Sequence, residues 1–284
     1  MADPGCPWAY SALPAITTLR WRYGDQLDWR IVTIGLTETP EQYERRGYTP
    51  ARMAKTPLRF ARFGMPYSVG PRARVVSTGR ACRAIVAAGQ RGGPELAYSA
   101  LRALSVAWFT TQLLLDEDQA IREALVHAGV KDAEHIAASL GEDATEQAYQ
   151  RDRAEARTAE GSPSALQGRT AQTDGPERYT APTLVFSRDG HTLEAGGHQA
   201  LGAYDVLVAN LAPEAELRPP PDSAADVLPE FADGLTTREV SSVMAGHDRE
   251  PDDDAATAEL LELEGAGSVT RQTVGTNALW RTAA

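Results

Sequence analysis

The chain has 284 residues, 42% hydrophobic and 24% charged, with a formal net charge of -11, enough apolar material for one large or two modest domains. No stretch approaches the ~18 consecutive apolar residues that span a bilayer, and the first residues lack the basic and apolar regions of a secretory signal, so a cytoplasmic protein with no membrane partner is expected. Two cysteines, Cys6 and Cys82, cannot build a disulfide framework, which agrees with a reducing compartment. The five histidines, at 127, 135, 191, 198 and 247, show no ligand spacing with the cysteines, and no metal site is expected.

In chain order, the first chemistry-bearing group is Cys6-Pro7-Trp8-Ala9, which opens a helical stretch. A thiol at a helix N-terminus meets unpaired N–H groups and the helix dipole, which favour its thiolate, so an activated nucleophile with a lowered pKa is expected. Ala9 stands where a Cys-x-x-Cys motif has its resolving thiol. The chemistry is therefore monothiol, or lost. Leu13, Ile16, Leu19 and Tyr23 carry a helical spacing that Gly24-Asp25 stops, and residues 28–35 read as a strand enriched in β-branched side chains. Between Arg45 and Pro94 lie eleven basic residues and no acidic one. Two readings stay open: a solvated face balanced by acidic helices elsewhere, or a surface beside the thiol that attracts an anionic substrate.

From about Pro50 to Glu160 the pattern is helical, with segments 77–89, 94–115, 116–127, 132–140 and 142–159. Within it, Cys82 reads as packing rather than as a resolving thiol. Trp108, Phe109 and Leu113 to Leu115 suit a helix core or the wall of a substrate pocket. After a polar loop from Gly161 to Arg178, Thr180 to Phe186 and His191 to Glu194 flank the turn Arg188-Asp189-Gly190 as a β-hairpin, and a helix from about His198 to Asn210 closes the unit.

Asp3-Pro4 ahead of Cys6-Pro7-Trp8 at a helix start, the inserted helices, and Ala181-Pro182-Thr183 entering a hairpin together resemble the DsbA-like thioredoxin superfamily over roughly residues 1 to 212. The FrnE-type oxidoreductases are the branch expected, with 2-hydroxychromene-2-carboxylate isomerases and kappa-class glutathione transferases as relatives. The resemblance implies an α/β thioredoxin-like domain of residues 1–48 and 178–212 and a helical insertion of residues 49–177. It also implies a cis Pro182 against Cys6, with Ala181, Pro182 and Thr183 shaping the substrate groove and Pro7, Trp8 and Ala9 completing the active-site motif. In this fold the strand before the active cysteine is central, yet only Met1 to Gly5 stand there. The N-terminal strand is read as missing, and a native start upstream of Met1 is expected, because loss of a central strand unpairs both neighbours. An intact mass beginning at Met1 or Ala2 would refute that.

Pro219-Pro220-Pro221 marks a stiff linker. Beyond it, residues 222–284 read as a small winged-helix-like module: helices at 225–231, from the capping box at Thr236 to Val240, and at 253–264, then strands at 268–272 and 278–282. Residues 213 to 284 hold fifteen acidic side chains against five Arg and no Lys, which argues against a nucleic-acid partner. The module is expected to be a protein contact surface, docking on the basic segment 45–94 of this chain or of a second copy in a homo-oligomer and closing over the thiol.

The expected function is a cytoplasmic monothiol thiol-disulfide oxidoreductase acting on small-molecule or protein disulfides. Cys6 is its nucleophile, a low-molecular-weight thiol such as glutathione resolves the mixed disulfide, and no cofactor is tightly bound. The alternatives are a thiol-dependent transferase or isomerase of the kappa or chromene-carboxylate kind, and a non-catalytic binding protein on the same scaffold.

Overall fold

The computed structural model describes residues 1–68, 70–246 and 249–283; His247 lies outside them. Cys6 is the N-cap of α1 (Pro7–Ser11), whose proline occupies a position where the missing N–H costs nothing. A single residue, Ala12, separates α1 from α2 (Leu13–Tyr23), which ends at Gly24 with φ +52°. Three short helices, α3 (Pro40–Glu44), α4 (Pro50–Met53) and α5 (Thr56–Phe60), each carry a proline in the first turn. The insertion is built on α6 (Gly79–Thr110), with α7 (Asp118–His127), α8 (Ala133–Ala138) and α9 (Asp143–Ala156) packed beside it. α6 is two helices joined at a break, since Gly92 and Gly93 are non-helical and Gly93 has φ +73°. Its second half starts at Pro94, as the sequence suggests, but ends at Thr110 rather than Leu115.

The segment 161–178, expected to be a loop, contains α10 (Pro163–Leu166) and β1 (Thr170–Ala171), which pairs with β2 (Arg178–Tyr179). The hairpin β3 (Thr183–Arg188) and β4 (His191–Gly196) turns through Asp189 and Gly190, both at positive φ, as a two-residue loop with this twist requires. α11 (Leu201–Leu211) packs on both strands and on α2.

Residues 28–35 do not form the ladder their β-branched run predicts. The segment makes one parallel bridge, between Thr33 and Ala2, because its partner segment is a stub. Ala2 N–H donates to Val32 O at 2.9 Å and Ala2 O accepts from Ile34 N–H at 2.9 Å, while Met1 and Thr183 exchange backbone hydrogen bonds of 2.8 and 3.1 Å. Ahead of Cys6, sheet-type pairing is thus confined to Met1 and Ala2, and no strand forms there.

Past the prolines come α12 (Ala224–Val227), β5 (Leu235–Thr236), α13 (Thr237–Ala245), α14 (Asp253–Gly265), β6 (Val269–Val274) and β7 (Asn277–Thr282). The three strands make an antiparallel sheet in the order β5-β7-β6. The module packs α13 against α2. Trp21 of α2 joins Val227, Leu235, Val240 and Trp280 in one apolar cluster, and the Arg102–Glu239 ion pair, at 2.7 Å, is buried between α6 and α13. Among the described residues, docking is therefore carried by apolar burial, this ion pair and hydrogen bonds such as Arg102 to Gly234 O (2.9 Å) and Arg281 to Ala128 O (3.0 Å). The basic segment is met at Gly64 to Tyr67, where Arg238 packs on Gly64, Thr236 Oγ1 donates to the Met65 sulfur and Gly275 lies against the Tyr67 backbone. This corrects the expectation of an acidic face laid on the arginines.

The architecture is an α/β thioredoxin-like core with an inserted long-helical region and a small C-terminal module of sheet and helices. One helical stretch feeds every apolar cluster: Cys6 and Ala9 enter one, Tyr10 and Leu13 the largest, Trp21 the module's, and Leu19 and Tyr23 the cluster under α11.

Candidate active site

Asp3 sets the entry to α1. Its carboxylate, fully buried, accepts from Gly5 N–H (2.9 Å), Leu36 N–H (2.8 Å) and Thr78 Oγ1 (2.9 Å), and the Asp3 carbonyl accepts from Cys6 N–H at 3.1 Å. These bonds fix the turn that aims Cys6 across the sheet end. The Cys6 sulfur donates to Ala181 O at 3.0 Å, and the Ala181–Pro182 peptide is cis. Ala181, Pro182 and Thr183 are all buried beside it. The chain thus brings the two motifs together across a sequence separation of 175 residues.

Cys6 is only 7% exposed, within Ala9, Val32, Ile34, Ala156 and Ala181. Burial pushes the thiol up to about 12, against the N–H groups of Ala9 and Trp8, which favour the thiolate; the Asp3 carboxylate adds to the rise and the Arg178 guanidinium opposes it. The expected lowering is overturned for this state of the site. The physical reason is that an apolar surround disfavours the anion by more than two N–H groups of the first helical turn can restore.

Asp3 itself is pushed above the usual carboxylate range, first by burial. Cys82 lies under it, fully buried, with its sulfur 3.5 Å from Asp3 Oδ2 and its thiol pushed well up by burial. It is a packing residue of α6, as its sequence context suggests. Both cysteines are free.

The rim of the site is aromatic. Trp8 packs edge-on to Phe60 at 4.8 Å and lies 5.8 Å from both Phe63 and His198, and His198 is 4.8 Å from Phe63. The Arg59 guanidinium stands 5.1 Å over Trp8, and that of Arg62 is 4.9 Å over Phe63. Burial lowers the His198 pKa, against the backbone hydrogen bond to Ser11 O.

Both readings of the basic segment have a place here. Arg74, Arg80, Arg83 and Arg91 are neutralised by Asp116, Asp118, Glu146 and Asp132. Arg45, Arg46, Arg52, Lys55, Arg59 and Arg62 make no ion pair among the described residues, and the last two face the aromatic rim. Trp108 and Phe109 belong to the largest apolar cluster, whereas Leu113 and Leu114 also line a cavity of about 660 Å³ against the C-terminal module.

Two members of the site escape a reading of the sequence. Arg178, buried at the end of the polar loop, donates to Tyr179 O at 2.9 Å and to Thr173 Oγ1 at 3.3 Å; only its place just before the Ala181-Pro182 motif hints at it. His198, taken only as a histidine without metal spacing, had as its one signal a position at the start of the closing helix.

No curated protein matches the chain. Among solved structures, the cytosolic disulfide reductase DsbM from Pseudomonas aeruginosa is similar at 21% identity over 75% of this chain and 95% of that one, with a TM-score of 0.49. The same protein with GSH is similar at 20% identity over 75% and 96%, with a TM-score of 0.48. The family model described as the DSBA-like thioredoxin domain matches residues 2–178, a span that starts at Ala2 and includes Cys6, Asp3 and the whole helical insertion, so the chain belongs to the DsbA-like thioredoxin domain family.

Proposed function

We propose that the protein is a monothiol thiol-disulfide oxidoreductase with Cys6 as nucleophile. The observation that carries this reading is the 3.0 Å contact between the Cys6 sulfur and Ala181 O beside a cis Pro182, with Ala9 where a second thiol would stand. The Cys6 thiolate attacks one sulfur of a disulfide, a Cys6–substrate disulfide forms, and the other half leaves as a thiolate. A low-molecular-weight thiol then attacks the mixed disulfide, releasing Cys6 and forming a new disulfide with the bound half. Arg59 and Arg62 over the aromatic rim favour an anionic thiol of the glutathione type in this second step.

Residues 1–48 with 178–212 form the catalytic domain in this proposal, 49–177 its insertion, and 222–284 a winged-helix-like contact module that does not bind nucleic acid. The free, buried state of both thiols suits a cytoplasmic setting. Incubation with oxidised glutathione and intact-mass analysis test the nucleophile: one adduct, mapped to Cys6 and absent from Cys6→Ser, is expected. Adduct formation at Cys82, or at neither residue, refutes it.

The high pKa of Cys6 favours a second reading, in which the neutral thiol donates a hydrogen bond to a bound thiol and serves a transferase or isomerase without turning over itself. Turnover of a nonreducible electrophile that depends on added thiol and survives in Cys6→Ser would establish it.

A further inference from the structure

The cavity of about 660 Å³ between the insertion and the C-terminal module shares no wall residue with the Cys6 pocket or its aromatic rim. The second half of α6, the loop after it and α7 form one side, and β6 and β7 the other. Val106, Ala107, Leu114, Ala124 and Leu279 give it an apolar body. Protein interiors leave few voids larger than a water molecule, and a concavity of this size with a few convergent polar groups is the form of a small-molecule site.

The polar groups of the wall gather around Gly234. Its carbonyl accepts from Arg102 at 2.9 Å, and a Cβ built on it would stand 2.6 Å from Arg281 Cγ, so both guanidinium-bearing side chains meet Asp233 here. Ser99 lies three residues before Arg102, on the same face of α6. It is 7% exposed, and its hydroxyl has no hydrogen-bond partner among the described residues. Arg102 is committed to Glu239. Arg281 has neutral acceptors, Gln272 Oε1 at 2.7 Å and Ala128 O at 3.0 Å, and makes no ion pair among the described residues. Burial lowers its pKa; Asp233 opposes that and Arg102 adds to it. A half-buried cation is thus left short of counter-charge.

We propose that this cavity binds a small apolar carboxylate, its hydrocarbon body between α6 and α7 and its carboxylate at the Gly234 end, toward Arg281 and Ser99. A neutral hydrocarbon would leave both polar groups as they are, and an ammonium would face two guanidiniums. A carboxylate suits both donors, because its two oxygens accept charge-assisted hydrogen bonds from a guanidinium fork and have capacity left for a hydroxyl. Of the acidic groups in the wall, Glu117 is held by Arg74 at 2.7 Å and Glu123 is exposed. Asp233 is therefore the carboxylate that competes with the ligand for Arg281. Bound there, the ligand joins the module to the insertion.

The test is fluorescence titration of the full chain with 4-(1-pyrenyl)butyrate and with 4-(1-pyrenyl)butanol, which keeps the ring and the chain and lacks the charge. Saturable binding of one butyrate per chain is expected, tighter than the alcohol by about tenfold or more. Arg281→Met should abolish that preference. Val106→Trp, which fills the cavity from α6, should weaken both probes, and Asp233→Asn should tighten the butyrate. Equal affinity of the two probes for the unmodified chain, or no binding of either, overturns the proposal without recourse to a variant. So does a preference that survives Arg281→Met, or weaker butyrate binding in Asp233→Asn. Binding untouched by Val106→Trp places the ring elsewhere and overturns it as well.

Discussion

Raising the pH in the presence of iodoacetamide probes the central property of Cys6. With its thiol pushed up to about 12 by burial, roughly 10⁻⁴ of the molecules carry a thiolate at pH 8, against roughly 0.2 for a free cysteine of pKa ~8.5. Alkylation at Cys6 is therefore expected to run about 10³-fold slower than that of a small thiol, before any steric shielding by Ala181 and Ile34. The rate should rise about tenfold per pH unit from pH 7 to 10 without a plateau, because each unit there multiplies the thiolate fraction tenfold. Quenched time points with peptide mass spectrometry separate Cys6 from Cys82, which is also buried and also pushed up. A plateau with a midpoint below about 8.5 would refute the argument, by showing that the N–H groups of Trp8 and Ala9 outweigh the apolar surround.

Stability should fall in alkali. The folded thiols hold their protons to higher pH than the unfolded ones, so above about pH 8.5 the unfolded state binds fewer protons and Cys6 alone removes about 1.4 kcal/mol per pH unit, with Cys82 acting in the same sense; urea titrations at pH 8, 9 and 10 check this. Arg102→Met strands the fully buried Glu239 carboxylate and should cost about 3–5 kcal/mol by chemical denaturation, most of it recovered in Arg102→Met/Glu239→Gln, whose neutral amide oxygen still accepts from Thr236 N–H; equal losses in the two variants would show that the pair does not act as a unit. Thr236→Ala removes half of the capping box, in which Thr236 Oγ1 accepts from Glu239 N–H and Glu239 Oε2 accepts from Thr236 N–H. Its expected cost is about 1 kcal/mol, measured the same way.

Much of the architecture is legible because its signals are local. Pro7 opens α1, Gly24 stops α2, Asp189-Gly190 turns the hairpin and Thr236 with Glu239 starts α13. The Cys6 motif and the Ala181-Pro182 motif are legible for the same reason, each being a few consecutive residues. What fails is whatever depends on a distant partner. The β-branched run at Ile31 to Ile34 states a backbone preference and says nothing about what lies beside it, so a strand was expected where one bridge forms. Burial of Cys6 comes from Ala156 and Ala181, far along the chain, and reverses a pKa argument made from the helix start alone. Likewise the arginines from 74 to 91 look identical to those from 45 to 62 until the fold brings Asp116, Asp118, Asp132 and Glu146 across.

The position of α2 bears on how such a chain can be assembled and divided. Its Trp21 donates to Pro219 O at 3.0 Å, carries the Arg218 guanidinium 3.5 Å over its ring and sits in the apolar cluster of the C-terminal module, while the other end of the same helical stretch bears Cys6. The module is thus no detachable cassette, although the prolines at 219 to 221 look like a seam. Cutting there would lay bare one side of the helix that presents the thiol. In a recombination between genes, the boundary that preserves folding falls elsewhere, since α2 and the last 60 or so residues must be inherited and varied as a matched set.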